Sequence, residues 1–318
     1  EMKQMYLSAI SEASAAFNNP SVFIEKYLEN PRHIEVQVVA DNYGNTVHLG
    51  ERECSVQRKH QKLLEEAPSS ALDEALRKKI CDAAVSLAKE AGYVSLGTVE
   101  FLLDKNKNFY FMEMNTRVQV EHPVTEMITG LDLIELQIRV ANGEKLPITQ
   151  TDVKLKGWAI ECRINAEDPQ SDFSPCLGVV KALRLPTGEG VRVDSGVVTN
   201  SEVTPYFDSM IAKLIVHAKD RKTVINKTLD ALNDFQIRGV KTTIPFDKAV
   251  LNNKKFQEGD FDTSFIEKDM ESMVHREEDE ELLAALFVAN HFAEQNAPLQ
   301  DINSGQDLWM LRNKINNM

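Results

Sequence analysis

The sequence predicts an α+β fold, a mostly antiparallel sheet with flanking helices, and three observations carry that expectation. Ile34 to Ala40 alternates apolar and polar residues, turns at Asp41-Asn42-Tyr43-Gly44-Asn45 and continues through Thr46 to Leu49 as a hairpin. Val94 to Leu103 and Phe109 to Met114 form a second hairpin around the polar turn Asp104 to Asn108. Between the hairpins, Asp73 to Ala91 places Leu76, Ile80, Ala83, Ala84, Leu87 and Ala91 on one helical stripe, which Gly92 ends.

The remaining elements follow in order. Residues 1–17 have helical spacing and lead through Asn18-Asn19-Pro20 to Val22-Phe23-Ile24, read as a strand. Helices are expected near 132–142 and 221–235, with short strands between about 157 and 217. Beyond residue 270 the character changes. His275 to Glu281 is a charge run, and the amphipathic stretch Leu282 to Glu294 precedes an end rich in Asn and Gln, so a solvated connector with a docking helix is expected.

Composition bounds the function. With 42% apolar and 27% charged residues over 318 positions, the chain is long enough to bury a substantial core. The formal charge of −13 opposes binding to polyanions, which excludes a general nucleic-acid binder or a membrane-surface protein. Cys54, Cys81, Cys162 and Cys176 lack Cys-x-x-Cys spacing, so neither a zinc site nor a disulfide framework is indicated and a reducing compartment fits. No run reaches the roughly 18 apolar residues of a membrane span.

The second hairpin carries the most specific chemistry. If it is symmetric about its turn, Glu100 lies opposite Glu113, with Cβ atoms about 5 Å apart. Two like charges held so close need a proton or a cation between them, and a hard divalent ion prefers such oxygen ligands. A period of two puts Phe109, Phe111, Asn115 and Arg117 on the face of Glu113, and an extended run continues to Gln119 and Glu121. The competing reading is an exposed polar hairpin face. Nearby, Arg52, Arg58, Lys59, His60 and Lys62 concentrate positive charge within eleven residues of an acidic protein, where a phosphate or small oxyanion would be drawn.

Four runs at consistent spacing resemble biotin carboxylases: Glu25-Lys26-Tyr27-Leu28-Glu29-Asn30-Pro31-Arg32-His33-Ile34-Glu35, Gln57 to Lys62, Glu113 to Thr129, and Glu161-Cys162-Arg163-Ile164-Asn165-Ala166-Glu167-Asp168-Pro169. The resemblance covers about residues 1 to 268. It implies the C-terminal catalytic half of an ATP-grasp enzyme plus the family's C-terminal domain. The expected division is 1–27 as a remnant of the lid domain, 28–155 as the catalytic region, 156–269 as the C-terminal domain and 270–318 as an acidic linker and helical tail.

By the same resemblance, Glu25, Lys26 and Leu28 match the hinge that holds adenine, with His33, Gln57 and His60 near the ribose and phosphates. Glu100, Glu113 and Asn115 match the Mg²⁺ or Mn²⁺ site. Lys62, Arg117, Gln119 and the Val120 backbone match the bicarbonate pocket, Glu121 the base that deprotonates bicarbonate, and Arg163 the group that stabilises the biotin enolate. The implied reaction uses ATP to activate bicarbonate as carboxyphosphate, whose CO₂ reaches biotin on a carrier protein. Implied partners are a biotin carboxyl carrier protein or domain, a carboxyltransferase component and a second copy of the chain in a homodimer. The implied location is cytoplasmic or the mitochondrial matrix, with fatty acid biosynthesis among the pathways served.

No glycine-rich run followed by Lys occurs, so the family's glycine-rich lid and N-terminal domain are read as missing and the chain alone as inactive. The rival functions are another ATP-grasp ligase and a non-catalytic fragment that keeps the fold.

Overall fold

A computed structural model describes residues 2–273 and Leu286. The tail reading for 274–318 therefore lies outside the described residues, apart from that one position. The N-terminal helix α1 (Met2–Phe17) buries none of its side chains. No strand forms at Val22–Ile24, contrary to the sequence reading: Phe23 and Ile24 are exposed and no described strand runs alongside to take their hydrogen bonds.

Eight strands make one sheet: β1 (Arg32–Ala40), β2 (Thr46–Arg58), β3 (Gln61–Ala67), β4 (Ser95–Leu103), β5 (Phe109–Asn115), β6 (Trp158–Asn165), β7 (Val191–Ser195) and β8 (Met210–Ala218). Their order across the sheet is β7-β8-β6-β3-β2-β1-β4-β5, and every neighbouring pair is antiparallel. Helices α2 (Glu74–Glu90), α3 (His122–Thr129), α4 (Leu133–Ala141) and α5 (Arg221–Asp234) flank it, followed by α6 (Ile244–Asn252), α7 (Lys254–Glu258) and α8 (Phe265–Met273). This is the expected α+β class.

Local chemistry sets these elements. Asp73 caps α2 by accepting from the Leu76 amide at 2.8 Å, and the helix lays Ile80, Cys81, Ala84 and Ala88 against Ile34, Val36, Val99 and Phe101 of the sheet. Leu76, Ala83 and Leu87 are only partly buried, and Ala91 is exposed at the C-cap, so the buried stripe is rotated by about one residue from the predicted one. Strand β2 runs through Arg58 instead of stopping near Leu49, because β1 and β3 pair along both of its edges. The clustered basic residues are therefore not one loop: Arg52 is fully buried inside the sheet, and only Lys59 and His60 form the turn.

Candidate nucleotide and carboxylate site

One cross-strand row organises the site. Glu35 on β1 is the register partner of Arg52 on β2 and of Glu100 on β4, and Glu100 is in turn the partner of Glu113 on β5. Three carboxylates thus line up across neighbouring strands. The Glu100–Glu113 pairing does not arise from a symmetric hairpin. Phe101 pairs with Phe111 but Glu100 with Glu113, which leaves Met112 as an extra residue in a bulge. The bulge reverses the parity of β5. Phe109 and Phe111 consequently stack edge-on against Phe101, at 5.6 and 6.4 Å between ring centres, on the face opposite Glu113. The sequence reading that put these rings on the Glu113 face is corrected.

The run after Asn115 also departs from expectation. Residues 116–121 turn into α3, with Glu121 as the residue before its first turn, so Arg117 to Glu121 is no extended strand. The turn folds Gln119 and Glu121 inward, where both are buried, and leaves Arg117 exposed.

Glu100 is held from several sides. His33 Nε2 donates to its Oε2 at 2.7 Å, while Gln119 Nε2 and Asn115 Nδ2 donate to its Oε1 at 2.7 and 2.8 Å. Burial pushes its pKa up, but the His33 hydrogen bond and the Lys62 charge win and hold it at about 2. Lys62 Nζ donates to Glu121 Oε1 at 2.6 Å and to Glu35, and stands 3.6 Å from Glu100. Burial opposes the Lys62 charge, yet the surrounding carboxylates raise its pKa. Arg163 donates to Glu65 at 2.6 Å and to Glu121 Oε2 at 3.0 Å, so Glu121 lies between two cations.

Below the row, Arg52 donates to Gln37, Gln119, Thr98 and Thr125 at 2.7, 2.8, 3.1 and 3.1 Å and reaches Glu35 at 3.3 Å. Burial raises the pKa of Glu35, but Lys62, His33 and Arg52 outweigh it and keep the group ionised. Glu35 is the residue that sequence reasoning did not place in the site, and Arg52, counted there as part of an oxyanion-drawing patch, is instead buried against Glu35 and borders neither cleft described below. The alternation of Glu35 and Gln37 with buried valines on β1 was the available signal.

Two adjoining clefts open on this network, of about 760 and 500 Å³, within the range of small-molecule sites. The first is bordered by Glu25, Lys26, Leu28, His33, Gln57, Glu100, Glu113 and Asn115, the second by Val120, Glu121 and Arg163; His60, Lys62, Arg117 and Gln119 border both. Every residue to which the resemblance gives a role borders one of them, whereas Arg52 and Arg58 of the basic patch border neither. Lys59 and His60 form the two-residue turn between β2 and β3 with φ of 48° and 64°. Left-handed backbone at two non-glycine residues costs about 1–2 kcal/mol each, which the flanking β2–β3 pairing must offset, and the tight turn places both side chains at the cleft mouth.

The donor set fits a hard divalent cation. Asn115 Nδ2 also donates to Glu113 Oε1, at 3.1 Å, so its amide sits at the point shared by both carboxylates. Turning the amide over would bring a third oxygen there. Two other trios, His33 with Glu35 and Glu100 and Glu35 with Cys54 and Glu121, also bring ligand atoms together among the described residues. Lys62 reaches into both and Arg52 lies against Glu35, which would repel a further cation.

Residues 1–149 match the family described as carbamoyl-phosphate synthase L chain, ATP binding domain. With the antiparallel sheet and its acidic cleft, this defines an ATP-grasp protein. Residues 161–268 match the biotin carboxylase C-terminal domain. The chain is 55% identical over 268 residues to a biotin carboxylase of Nostoc sp., a match covering 84% of this chain and 60% of that protein. It is 54% identical over 284 residues to a pyruvate carboxylase subunit of Methanothermobacter thermautotrophicus, covering 88% and 58%. Among solved structures, it superimposes with a TM-score of 0.82 and 47% identity on the biotin carboxylase domain dimer of Hydrogenobacter thermophilus 2-oxoglutarate carboxylase in complex with MgADP and bicarbonate, over 86% of this chain and 60% of that one. The chain belongs to the biotin carboxylase family. It spans about 60% of the length of these curated relatives.

Proposed function

We propose that this chain carries the catalytic region of a biotin carboxylase, which uses ATP and bicarbonate to carboxylate biotin on a carrier protein. One observation carries the reading: the Glu100–Glu113–Asn115 cluster and the Lys62–Glu121–Arg163 cluster occupy adjoining clefts joined by shared residues. The first cluster suits a nucleotide-borne Mg²⁺ or Mn²⁺, which would neutralise charge on the phosphates when bound. Glu25, Lys26 and Leu28 form the rim suited to adenine, and His33, Gln57 and His60 the wall towards ribose and phosphates.

In the second cleft, Lys62, Arg117, Gln119 and the Val120 backbone hold bicarbonate, and Glu121 takes its proton. Arg163 presents a guanidinium to the oxygen of biotin that gains negative charge, and the fixed cations need no rearrangement as charge develops. Residues 28–155 form the catalytic region, 156–269 the C-terminal domain, and 1–27 part of a lid domain. Pairing of β3 with β6 makes the two larger regions one sheet. The partners proposed are a biotinylated carrier, a carboxyltransferase component and a second copy of this chain, in a cytoplasmic setting. No helix among the described residues is long and apolar enough to cross a membrane.

The test is biotin-dependent, bicarbonate-dependent ATP cleavage by the full-length protein. Loss of that turnover in Glu121→Gln with nucleotide affinity retained is expected. Turnover that ignores biotin but responds to another acceptor would favour a different ATP-grasp ligase.

A further inference from the structure

The site uses Glu35, Glu100 and Glu121, each beside a cation, but it leaves a second pair of acids next to Arg163. Glu65 on β3 and Glu161 on β6 are register partners, which sets their Cβ atoms about 5 Å apart. Neither residue has exposed surface. Glu65 uses Oε1 to accept from Arg163. Its Oε2 and both oxygens of Glu161 have no hydrogen-bond donor.

The surroundings offer Glu161 little relief. Lys213 on β8 gives its ammonium to the Val120 carbonyl at 2.7 Å, Arg163 is engaged by Glu65 and Glu121, and Asp247 on α6 is itself a buried acid. Two carboxylates at this spacing in the interior cannot both ionise without a cation for each. Arg163 supplies that cation to Glu65, so the proton belongs on Glu161. Burial, and then the Glu65 charge, push the Glu161 pKa well up. Burial raises Glu65 too, but there Arg163 opposes it.

We propose that Glu161 is a neutral acid whose O–H bonds Glu65 Oε2, fixing the carboxylate that aims the Arg163 guanidinium into the cleft. Glu161 is then a positioning residue, two side chains removed from the substrate. Its kinetic consequence rests on the reading of Arg163 as the biotin-facing cation, whereas the shared proton does not.

Difference infrared spectra of the full-length protein and its Glu161→Gln variant at neutral pH test the proton. The wild type is expected to carry one neutral carboxylic-acid carbonyl band that the variant lacks. No such difference would overturn the assignment, whether or not the protein carboxylates biotin. Two variants test the clamp. Glu161→Gln keeps an N–H donor for Glu65 and is expected to keep the KM for biotin close to wild type. Glu161→Leu removes the donor and is expected to raise that KM by on the order of tenfold or more, the size of a lost hydrogen bond to a charged group, with Mg-nucleotide affinity unchanged. Equal KM values in the two variants would overturn the clamp. The infrared band in a protein with no biotin-dependent turnover would support the shared proton and count against the proposed function instead. Should Glu161→Leu fail to fold, the spectrum of the Gln variant still decides.

Discussion

Glu35 and Glu100 face each other on adjacent strands, with His33 Nε2 bridging them at 3.5 and 2.7 Å and Lys62 above both. The difference between the two acids is what surrounds them next. Glu35 is enclosed by Arg52 and Lys62, so its charge is spent inside the protein. Glu100 has Glu113 on its far side, and that second acid is exposed and has no cation among the ion pairs of the described residues. The row therefore has a neutralised end and an anionic end, and the anionic end borders the larger cleft.

That gradient predicts unequal effects of two similar substitutions. Glu113→Gln is expected to weaken Mg²⁺-dependent nucleotide binding by about tenfold or more while leaving the urea midpoint unchanged, because Glu113 is exposed. Glu100→Gln is expected to weaken the same binding and also to destabilise the fold, since His33 and Gln119 lose an anionic acceptor. Calorimetric titration with and without Mg²⁺, beside urea unfolding, separates the two. Identical stability for both variants would contradict the gradient.

Arg52 makes the buried end testable. Arg52→Met removes the cation shared by Glu35, Gln37, Thr98, Gln119 and Thr125, and leaves Glu35 with fewer counter-charges. Breaking a buried pair from one side costs about 3–5 kcal/mol. Arg52→Lys is expected to recover little, because a single ammonium cannot reach acceptors on both sides of the row. Urea denaturation measures both, and a loss below about 1 kcal/mol in Arg52→Met would mean that Lys62 alone neutralises Glu35.

What could be read from the sequence follows from which forces are local. Helix α2 and both hairpins rest on neighbours within a few residues, and they form, although the face that α2 buries is rotated by about one residue because the sheet beneath it sets that face. The bulge at Met112 is not local: it depends on how β5 must fit against β4, and period-two counting misplaces Phe109 and Phe111 because of it. Arg52 read as part of an oxyanion-drawing patch because its five partners, on β1, β4, the turn before α3 and α3 itself, are brought to it only by the folded sheet. The inward turn of Gln119 and Glu121 likewise follows from α3 starting at His122, where the Pro at the second position favours a helix start and the preceding chain must turn to enter it.

Asp247 gives a pH-dependent prediction away from the cleft. It is fully buried in the first turn of α6, and its Oδ2 has no hydrogen-bond donor. Burial, with the Glu65 charge, raises its pKa well above 3.8, against the Thr243 hydrogen bond. A folded pKa above the unfolded one means stability that is present below 3.8 and lost as pH rises towards the folded value. Asp247→Asn removes that slope. Wild type should lose stability relative to the variant between about pH 4 and 7, whatever the constant offset from the new amide. Urea midpoints across this range check it, and parallel curves would mean that Asp247 ionises normally in the fold.

Lys62 should show that stability and chemistry are separable in this network. Its ammonium contacts Glu35 and Glu121 and stands 3.6 Å from Glu100, so Lys62→Met leaves three carboxylates close together and should cost about 3 kcal/mol. Most of that loss comes from Glu35, which is more deeply enclosed than Lys62 itself and keeps only Arg52 and His33 beside it. Adding Glu35→Gln to Lys62→Met should therefore restore much of the stability, a coupling of about 0.5–3 kcal/mol by double-mutant cycle. It should not restore biotin-dependent turnover, because Glu121 would still lack the cation that pairs with it at 2.6 Å. Urea unfolding and turnover measured on the same three variants test both halves. Recovery of turnover along with stability would mean that Lys62 serves the fold alone.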